Sequence, residues 1–144
     1  MTDKFINLLK NYGPDSLQSL DAIYSDDVQY EDPINKGKDL GHLRLILEDL
    51  LKVFKGVQFE SIHSMHDDEF AFVSWKMRYK FRNKDYAIDG VSRLRFNGSG
   101  QIIEHKDYWD ASFPLYGTFP IIGLIMKLIK KFVSVKPPNL KLNN

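Results

Sequence analysis

The stretch Gln101–Asp110, Q-I-I-E-H-K-D-Y-W-D, follows the turn N-G-S-G at 97–100 and has the alternation typical of a β-strand. Because successive side chains of a strand point to opposite faces, His105, Asp107 and Trp109 are predicted to share one face. A histidine, a carboxylate and an indole on one face suit a proton-transfer site in an apolar pocket. The same pattern also suits a polar surface strand, so its role depends on what packs against it.

Three more strands are predicted upstream, where apolar and polar residues alternate over 57–65, 70–81 and 86–96. Short polar turns separate these strands, which is the pattern of an antiparallel meander. His63 is predicted to lie on the apolar face of the first strand. The second strand has one apolar face, formed by Ala71, Val73, Trp75, Met77, Tyr79 and Phe81.

The first half of the chain is predicted to contain three helices and one short strand. Apolar residues at helical spacing indicate helices over 3–12, about 16–24 and about 38–54. Residues 28–32 form a short strand that ends at Pro33, which cannot donate to a ladder. This order predicts an α+β fold: a cone-shaped, curved, mixed but mostly antiparallel β-sheet wraps around three N-terminal helices and leaves a blind cavity.

Composition limits the class of protein. The 144 residues predict one domain over 1–135 and a flexible tail over 136–144. The sequence has no cysteine and no signal-peptide pattern at its N-terminus, so we expect a reducing, cytoplasmic location. Every acidic residue lies at or before Asp110, and the segment after it is basic but lacks arginine. A nucleic-acid partner is therefore not expected.

The segment that follows the last strand is predicted to include an extra C-terminal amphipathic helix. From Pro120 onward, apolar residues cover more than half of a helix circumference, and Lys127, Lys130 and Lys131 cover the rest. The run is shorter than the roughly 20 residues of a membrane-spanning helix. We expect 114–133 to act as a lid over the cavity, to pack in a homodimer, or to make a peripheral membrane contact through 120–133.

Two parts of the sequence resemble SnoaL-like proteins of the nuclear transport factor 2-like, or ketosteroid isomerase-like, superfamily. The first part is V-Q-Y-E-D-P at 28–33, followed by Gly37. The second is D-G-V-S-R-L-R-F at 89–96, then a glycine turn and I-E-H-K-D-Y-W-D at 103–110. The resemblance covers about residues 3–133 and implies the cone fold. It says less about activity, because the superfold hosts enzymes, binding modules and transport adaptors.

Within this superfamily, the predicted site is most similar to that of limonene-epoxide hydrolases. In that family the last strand ends in D-Y-F/W-D, and its first aspartate is catalytic, which implies such a role for Asp107. A Tyr-x-Asn pair on the family's first strand holds the attacking water, and Tyr30 and Asp32 match it with Asp in place of Asn. The family's Arg-x-Asp pair has no counterpart in V-S-W-K-M-R-Y at 73–79.

Four residues are therefore candidates for catalysis: Asp107, His105, Tyr30 and Asp32. Asp107 would act as a general base, while His105 or Tyr30 would share the proton or donate to a developing oxyanion.

Each of the two aspartates also has a structural alternative. Asp107 could pair with Arg93 or Arg95 across the hairpin. Asp32 could cap the loop that begins at Pro33.

Five residues are predicted to line the cavity and bind the ligand: His63, Trp75, Met77, Tyr79 and Trp109. No closely spaced ligand pair such as H-x-x-x-H occurs, so neither a metal nor another cofactor is expected. The predicted function is binding of a small apolar or lipid-like molecule. The chemistry predicted for an enzyme of this kind is that of an isomerase, cyclase, dehydratase or hydrolase that needs no cofactor. The alternatives are a non-catalytic carrier or sensor and a dimeric interaction module.

Overall fold

The computed structural model describes residues 2–111 and 120–134. In chain order the elements are α1 (Asp3–Lys10), a 3₁₀ segment (Ser16–Ala22), β1 (Tyr24–Glu31), β2 (Lys36–Gly37), α2 (Leu40–Val53), β3 (Lys55–His66), β4 (Phe70–Phe81), β5 (Lys84–Phe96), β6 (Ile102–Trp109) and α3 (Pro120–Val133). This order confirms the predicted α+β class and the predicted C-terminal helix.

The chain divides into two compact units, Met1–Ala111 and Ser112–Asn144. The sheet, α1 and α2 belong to the first unit, and α3 belongs to the second. The predicted flexible tail at 136–144 and the predicted start of the lid at 114–119 lie outside the described residues.

The sheet has six strands in the order β2-β1-β6-β5-β4-β3. Neighbours from β3 to β6 are antiparallel, as predicted, whereas β6 pairs with β1 in parallel and sets Tyr30 beside His105. β6, the last strand in the sequence, therefore lies between β1 and β5. This position brings the polar residues of β1, β5 and β6 onto one inner face.

The core lies between that inner face and the two helices of the first unit. Phe5 and Leu8 of α1 and Leu43 of α2 are buried against it. The start of α2 is set by Asp39, whose side chain accepts a hydrogen bond from the backbone N–H of His42 at 2.7 Å. Such a cap satisfies one of the free N–H groups of the first helical turn. The inner side chains of β4 and β5 complete the core: Val73, Trp75, Met77, Tyr79, Ile88 and Leu94.

The second predicted helix is shorter than expected and is a 3₁₀ segment. Its predicted last residue, Tyr24, instead begins β1. The physical reason is non-local: Ile102 donates to the carbonyl of Ile23 at 2.9 Å and pairs with Tyr24 in the parallel ladder. Pairing with β6 therefore holds this segment extended, and nothing in the local sequence shows it.

A bulge in β3 overturns the predicted orientation of His63. The ladder to β4 shifts register between Glu60 and His63, and Ser61 has a positive φ of 52°. An extra residue in a strand reverses the inside–outside alternation beyond it. Ile62 consequently packs against the core, and His63 is exposed. The prediction that His63 lies on the apolar face is wrong.

Candidate functional site

Asp107 is the centre of a hydrogen-bonded network on the inner face of the sheet. Its side chain is 14% exposed. Its Oδ1 accepts from the Ser92 hydroxyl at 2.5 Å and lies 2.8 Å from His105 Nε2, while its Oδ2 lies 3.2 Å from the Tyr30 hydroxyl. A carboxylate offers about four acceptor positions, so the donors Ser92 and His105, together with the neighbouring Tyr30 hydroxyl, leave Asp107 at least one position for a further donor within residues 2–111.

His105 is enclosed by aromatic rings and is 4% exposed. Phe5 and Tyr30 meet its ring edge-on at centroid distances of 5.2 and 5.0 Å, and Tyr24 stacks on it at 5.9 Å. Its Nδ1 lies 3.0 Å from the Tyr24 hydroxyl and its Nε2 faces Asp107. Because an ionised carboxylate only accepts, Nε2 carries a hydrogen and the Nδ1 of the neutral ring accepts from Tyr24. Both ring nitrogens are thus engaged, and His105 positions Asp107.

Ser92 connects Asp107 to Trp75. It lies directly opposite Asp107 in the β5–β6 ladder, and Trp75 Nε1 donates to its Oγ at 2.9 Å. Trp75 in turn lies opposite Gly90, where an added Cβ would come within 2.2 Å of the indole. Glycine at this position gives the ring the space it needs. Since the Ser92 oxygen accepts from the indole, its single hydrogen is directed to Asp107.

The Tyr30 hydroxyl lies between two carboxylates. It donates to Asp32 Oδ2 at 2.8 Å and lies 3.2 Å from Asp107 Oδ2. Asp32 Oδ1 accepts from the backbone N–H groups of Ile34 and Asn35, both at 2.7 Å, and the Asn35 side chain donates to Oδ2 at 3.1 Å. The predicted loop-capping role of Asp32 is confirmed, and the same side chain also orients Tyr30.

The three tyrosines around Asp107 are held in their neutral form. Burial raises the pKa of Tyr30 well above its ordinary value, and the charges of Asp107 and Asp32 raise it further. The pKa values of Tyr24 and Tyr12 are also raised. Burial is the larger cause, and the charge of Asp107 is the second. Because both causes disfavour a phenolate, all three side chains are hydroxyl donors at physiological pH.

The predicted pairing of Asp107 with an arginine of β5 is wrong. Arg93 and Arg95 both pair with Glu104, on the opposite face of the sheet. Glu104 and Asp107 are three residues apart on one strand, so they point to opposite faces. Asp89, whose face the sequence does not assign, is exposed and pairs with Lys76 at 2.7 Å.

Four of the five predicted cavity residues point to the interior. Trp75, Met77 and Tyr79 are buried on the inner face, and Trp109 is half-buried opposite Gly90. Burial, followed by the nearby Tyr86, raises the pKa of Tyr79 to about 12. Contact of these side chains with a ligand stays a prediction, and the exposed His63 does not join them.

Sequence reasoning missed two members of the network, Ser92 and Tyr24. Ser92 alternates with Gly90, Leu94 and Phe96 on the inner face of β5, and a lone hydroxyl among such neighbours was the available signal. Tyr24 was expected to be a buried helix residue. Its link to His105 depends on the parallel β1–β6 pairing, which no local pattern shows.

Away from this network, a groove of about 620 Å³ lies between α1 and the 3₁₀ segment. Lys4, Asn7, Asn11, Ser16 and Ser19 are among its lining residues, and none of its lining residues belongs to the Asp107 network. Within residues 2–111 and 120–134, no three His, Asp or Glu side chains converge as a metal site requires. In the same part of the chain, no helix combines the length and the apolar character needed to cross a membrane.

Solved structures share this fold at low sequence identity. A proposed polyketide cyclase from Xanthomonas campestris has a TM-score of 0.67 and 11% identity, over 76% of this chain and 89% of that chain. A hypothetical protein with a ketosteroid isomerase-like fold from Catenulispora acidiphila, solved with trimethylamine, has a TM-score of 0.65 and 13% identity, over 76% and 87% of the chains. A proposed hydroxylase from Streptomyces galilaeus has a TM-score of 0.61 and 16% identity, over 86% and 93%.

These structures show the fold alone, because their identities are so low. A search among curated proteins finds no match to the chain. The likeness of the site to limonene-epoxide hydrolases is not shown by these comparisons and stays a prediction. The model of the SnoaL-like domain, however, matches residues 4–105, which is more than half of the chain. The protein therefore belongs to the SnoaL-like family.

Proposed function

We propose that the protein binds a small, mostly apolar molecule beside Asp107 and removes a proton from it without a cofactor. The supporting observation is the contrast between the two carboxylates of the network. Asp32 uses both oxygens to cap its turn and orient Tyr30, whereas Asp107 keeps about one acceptor position and is partly exposed. Asp107 is therefore the group of this network suited to receive a proton from a ligand.

The surroundings of Asp107 favour this chemistry. Ser92 and His105 hold the carboxylate in one orientation, which is the precision that proton transfer requires. Tyr30 supplies a neutral hydroxyl next to the carboxylate. A fold shared with proteins named as a polyketide cyclase and a hydroxylase supports a cyclic or carbonyl-bearing ligand and reactions such as isomerisation or cyclisation.

Hydrogen exchange at carbon tests the proposal directly. We would incubate the protein in D₂O with a panel of cyclic ketones and polyketide-like esters and follow deuterium uptake beside the carbonyl by NMR. The wild type is expected to accelerate uptake in at least one compound. Asp107→Asn should slow it by about 10²-fold or more, because general-base catalysis contributes about that much. The matched variant Asp89→Asn, on the outer face, should keep the wild-type rate.

Two results would overturn the proposal. One is the absence of exchange across the whole panel with the wild type. The other is an Asp107→Asn variant that is folded and exchanges at the full rate.

A second candidate function is that of a carrier which contacts a membrane or a second copy of the chain through α3. The observation in its favour is the apolar surface of that helix, where Leu124, Ile125, Leu128, Ile129 and Phe132 are all exposed. Lys127 and Lys131, also exposed, add positive charge to the same helix. Apolar and basic side chains on one helix suit an anionic lipid surface.

A further inference from the structure

We infer that Tyr30 passes a proton between Asp107 and Asp32, so that Asp32 is the exit for a proton that Asp107 takes from its ligand. The inference rests on the proposed function and gives that site a route to solvent. It also assigns to Asp32 a role beyond its turn.

The geometry sets one hydroxyl between two acceptors. Tyr30 Oη lies 2.8 Å from Asp32 Oδ2 and 3.2 Å from Asp107 Oδ2. A phenol has one hydrogen, and its oxygen can accept another. While Tyr30 donates to Asp32, its oxygen lone pair is available to a protonated Asp107. A proton on the side of Oδ2 that faces Tyr30 therefore meets an acceptor without breaking the Tyr30–Asp32 bond.

The transfer is balanced at every atom. The O–H bond at Asp107 Oδ2 breaks as its proton bonds to Tyr30 Oη, and the original Tyr30 proton moves to Asp32 Oδ2. Tyr30 is neutral before and after, and the negative charge moves from Asp32 to Asp107. Asp32 then releases its proton to water, and rotation of the Tyr30 hydroxyl from Asp107 back to Asp32 restores the starting state.

The other branches of the network cannot carry a proton out. Ser92 leads to Trp75, whose indole N–H donates and does not accept. His105 leads to Tyr24, which is 1% exposed. The Tyr30 branch ends at Asp32, which is half-buried and is followed by exposed residues at 33–34. Among these three branches, the one through Tyr30 ends on an acceptor that water reaches.

The titratable groups around Asp107 come from three parts of the fold. They are Tyr12 after α1, Tyr24 and Tyr30 on β1, Asp32 after β1, and His105 on β6. An NMR titration of Asp107 must therefore also record the resonances of these neighbouring groups.

Carbon-13 NMR of the full chain, labelled at the aspartate carboxyl and tyrosine ζ carbons, tests the path without a substrate. In the wild type, Asp32 and Asp107 should show the same two titration steps, as coupled groups do. The Tyr30 ζ resonance should move in step with Asp107. In Tyr30→Phe both aspartate curves should change, because each carboxyl loses the hydroxyl that lies between them. Asp89, on the outer face, provides a control carboxyl whose curve should be the same in both proteins.

A second variant keeps the test decisive if the Tyr30→Phe protein does not fold. Asp32→Asn keeps an oxygen for the turn and removes the second carboxylate, so the Tyr30 ζ resonance should lose its second step. Identical aspartate curves in the wild type and Tyr30→Phe would overturn the inference, and so would a Tyr30 resonance that stays fixed while Asp107 titrates.

The outcome is separable from that of the proposed function. If Asp107→Asn abolishes carbon exchange while the two aspartates titrate independently, the proton path is wrong and the proposed function stands. If the aspartates titrate together but the wild type exchanges no compound, the coupled pair stands and the proposed function is wrong.

Discussion

Ser92 Oγ lies 2.5 Å from Asp107 Oδ1, directly across the β5–β6 ladder, and it accepts the indole N–H of Trp75. One hydroxyl thus connects the carboxylate of the site to the aromatic core. The serine is 1% exposed, so water cannot replace either bond without entering the core.

Replacing Ser92 with alanine should destabilise the protein. The change removes one donor from Asp107 and leaves the buried N–H of Trp75 without its acceptor, which costs about 1–3 kcal/mol. Urea unfolding measures the loss, and near-UV circular dichroism reports on Trp75. Ser64→Ala, at an exposed position of β3, is the matched control and should change the free energy of unfolding by less than about 0.5 kcal/mol. Equal stability of the two variants would contradict this role of Ser92.

A methyl group at position 90 should displace Trp75. An added Cβ at Gly90 would lie 2.2 Å from the indole, so the ring has to move away from Ser92. Overpacking of this kind costs about 1–3 kcal/mol or more. We expect Gly90→Ala to unfold at lower urea concentration and to shift the tryptophan fluorescence spectrum. Gly98→Ala, where nothing lies within 4 Å of the added Cβ, serves as its control. A Gly90→Ala protein with wild-type fluorescence would show that the indole tolerates the methyl.

Most of the sheet was predictable, because local sequence patterns indicate its strands. The alternation over 70–81 and 86–96 and the polar turns between strands specify a meander, and β4 and β5 follow it closely. A mixed sheet was expected, but the register of the parallel β1–β6 pair was not predictable from local patterns, because it joins residues far apart in the sequence, such as Tyr24 and Ile102. Tyr24, expected at the end of a helix, is held extended by that contact.

The candidate site was predictable in part, for the same reason. Tyr30, Asp32, His105 and Asp107 follow from strand parity and from a family resemblance, and the structure brings all four together. Ser92 and Tyr24 are recognised only when strand register is known. His63 was misplaced because the bulge at Ser61 reverses the alternation of β3 after residue 60.

The neutral imidazole of His105 should be the tautomer with its hydrogen on Nε2. The carboxylate of Asp107 can only accept, and the Tyr24 hydroxyl then donates to Nδ1. Long-range nitrogen–proton NMR correlations distinguish the two tautomers directly. In Tyr24→Phe the Nδ1 resonance should shift while the hydrogen stays on Nε2. A hydrogen found on Nδ1 in the wild type would reverse the direction of every bond in this branch.

The buried tyrosines should make the protein sensitive to alkali. In the folded state the pKa of Tyr12, Tyr24 and Tyr30 is raised above the unfolded value of about 10. Their contribution to stability is therefore complete below a pH of about 10 and is lost as the pH rises through the folded pKa values. Phenolate absorbance should report these buried tyrosines only as the chain unfolds.

A variant identifies which tyrosine carries this alkaline sensitivity. Tyr24→Phe removes one buried ionisation, so its free energy of unfolding should fall less steeply with pH above about 10 than that of the wild type. Tyr108→Phe, at an exposed position, should leave the slope unchanged and serves as the control. Phenolates that all appear together in the folded protein, before any loss of circular dichroism, would contradict the effect of burial.

Helix α3 should bind the protein to anionic vesicles if it serves as a membrane contact. Its apolar side chains would enter the interface, while each lysine near an anionic surface contributes about 1 kcal/mol. The full chain should float with vesicles that contain phosphatidylserine and less with phosphatidylcholine alone. Phe132→Ser, at a side chain that is 88% exposed, should weaken flotation, as should replacing Lys127 and Lys131 with glutamine. Phe72→Ser, at an apolar residue of β4 that is 50% exposed, should not. A wild type that stays at the bottom of the gradient rules out this contact; if it then elutes as a dimer that Phe132→Ser dissociates, α3 is instead a self-association surface.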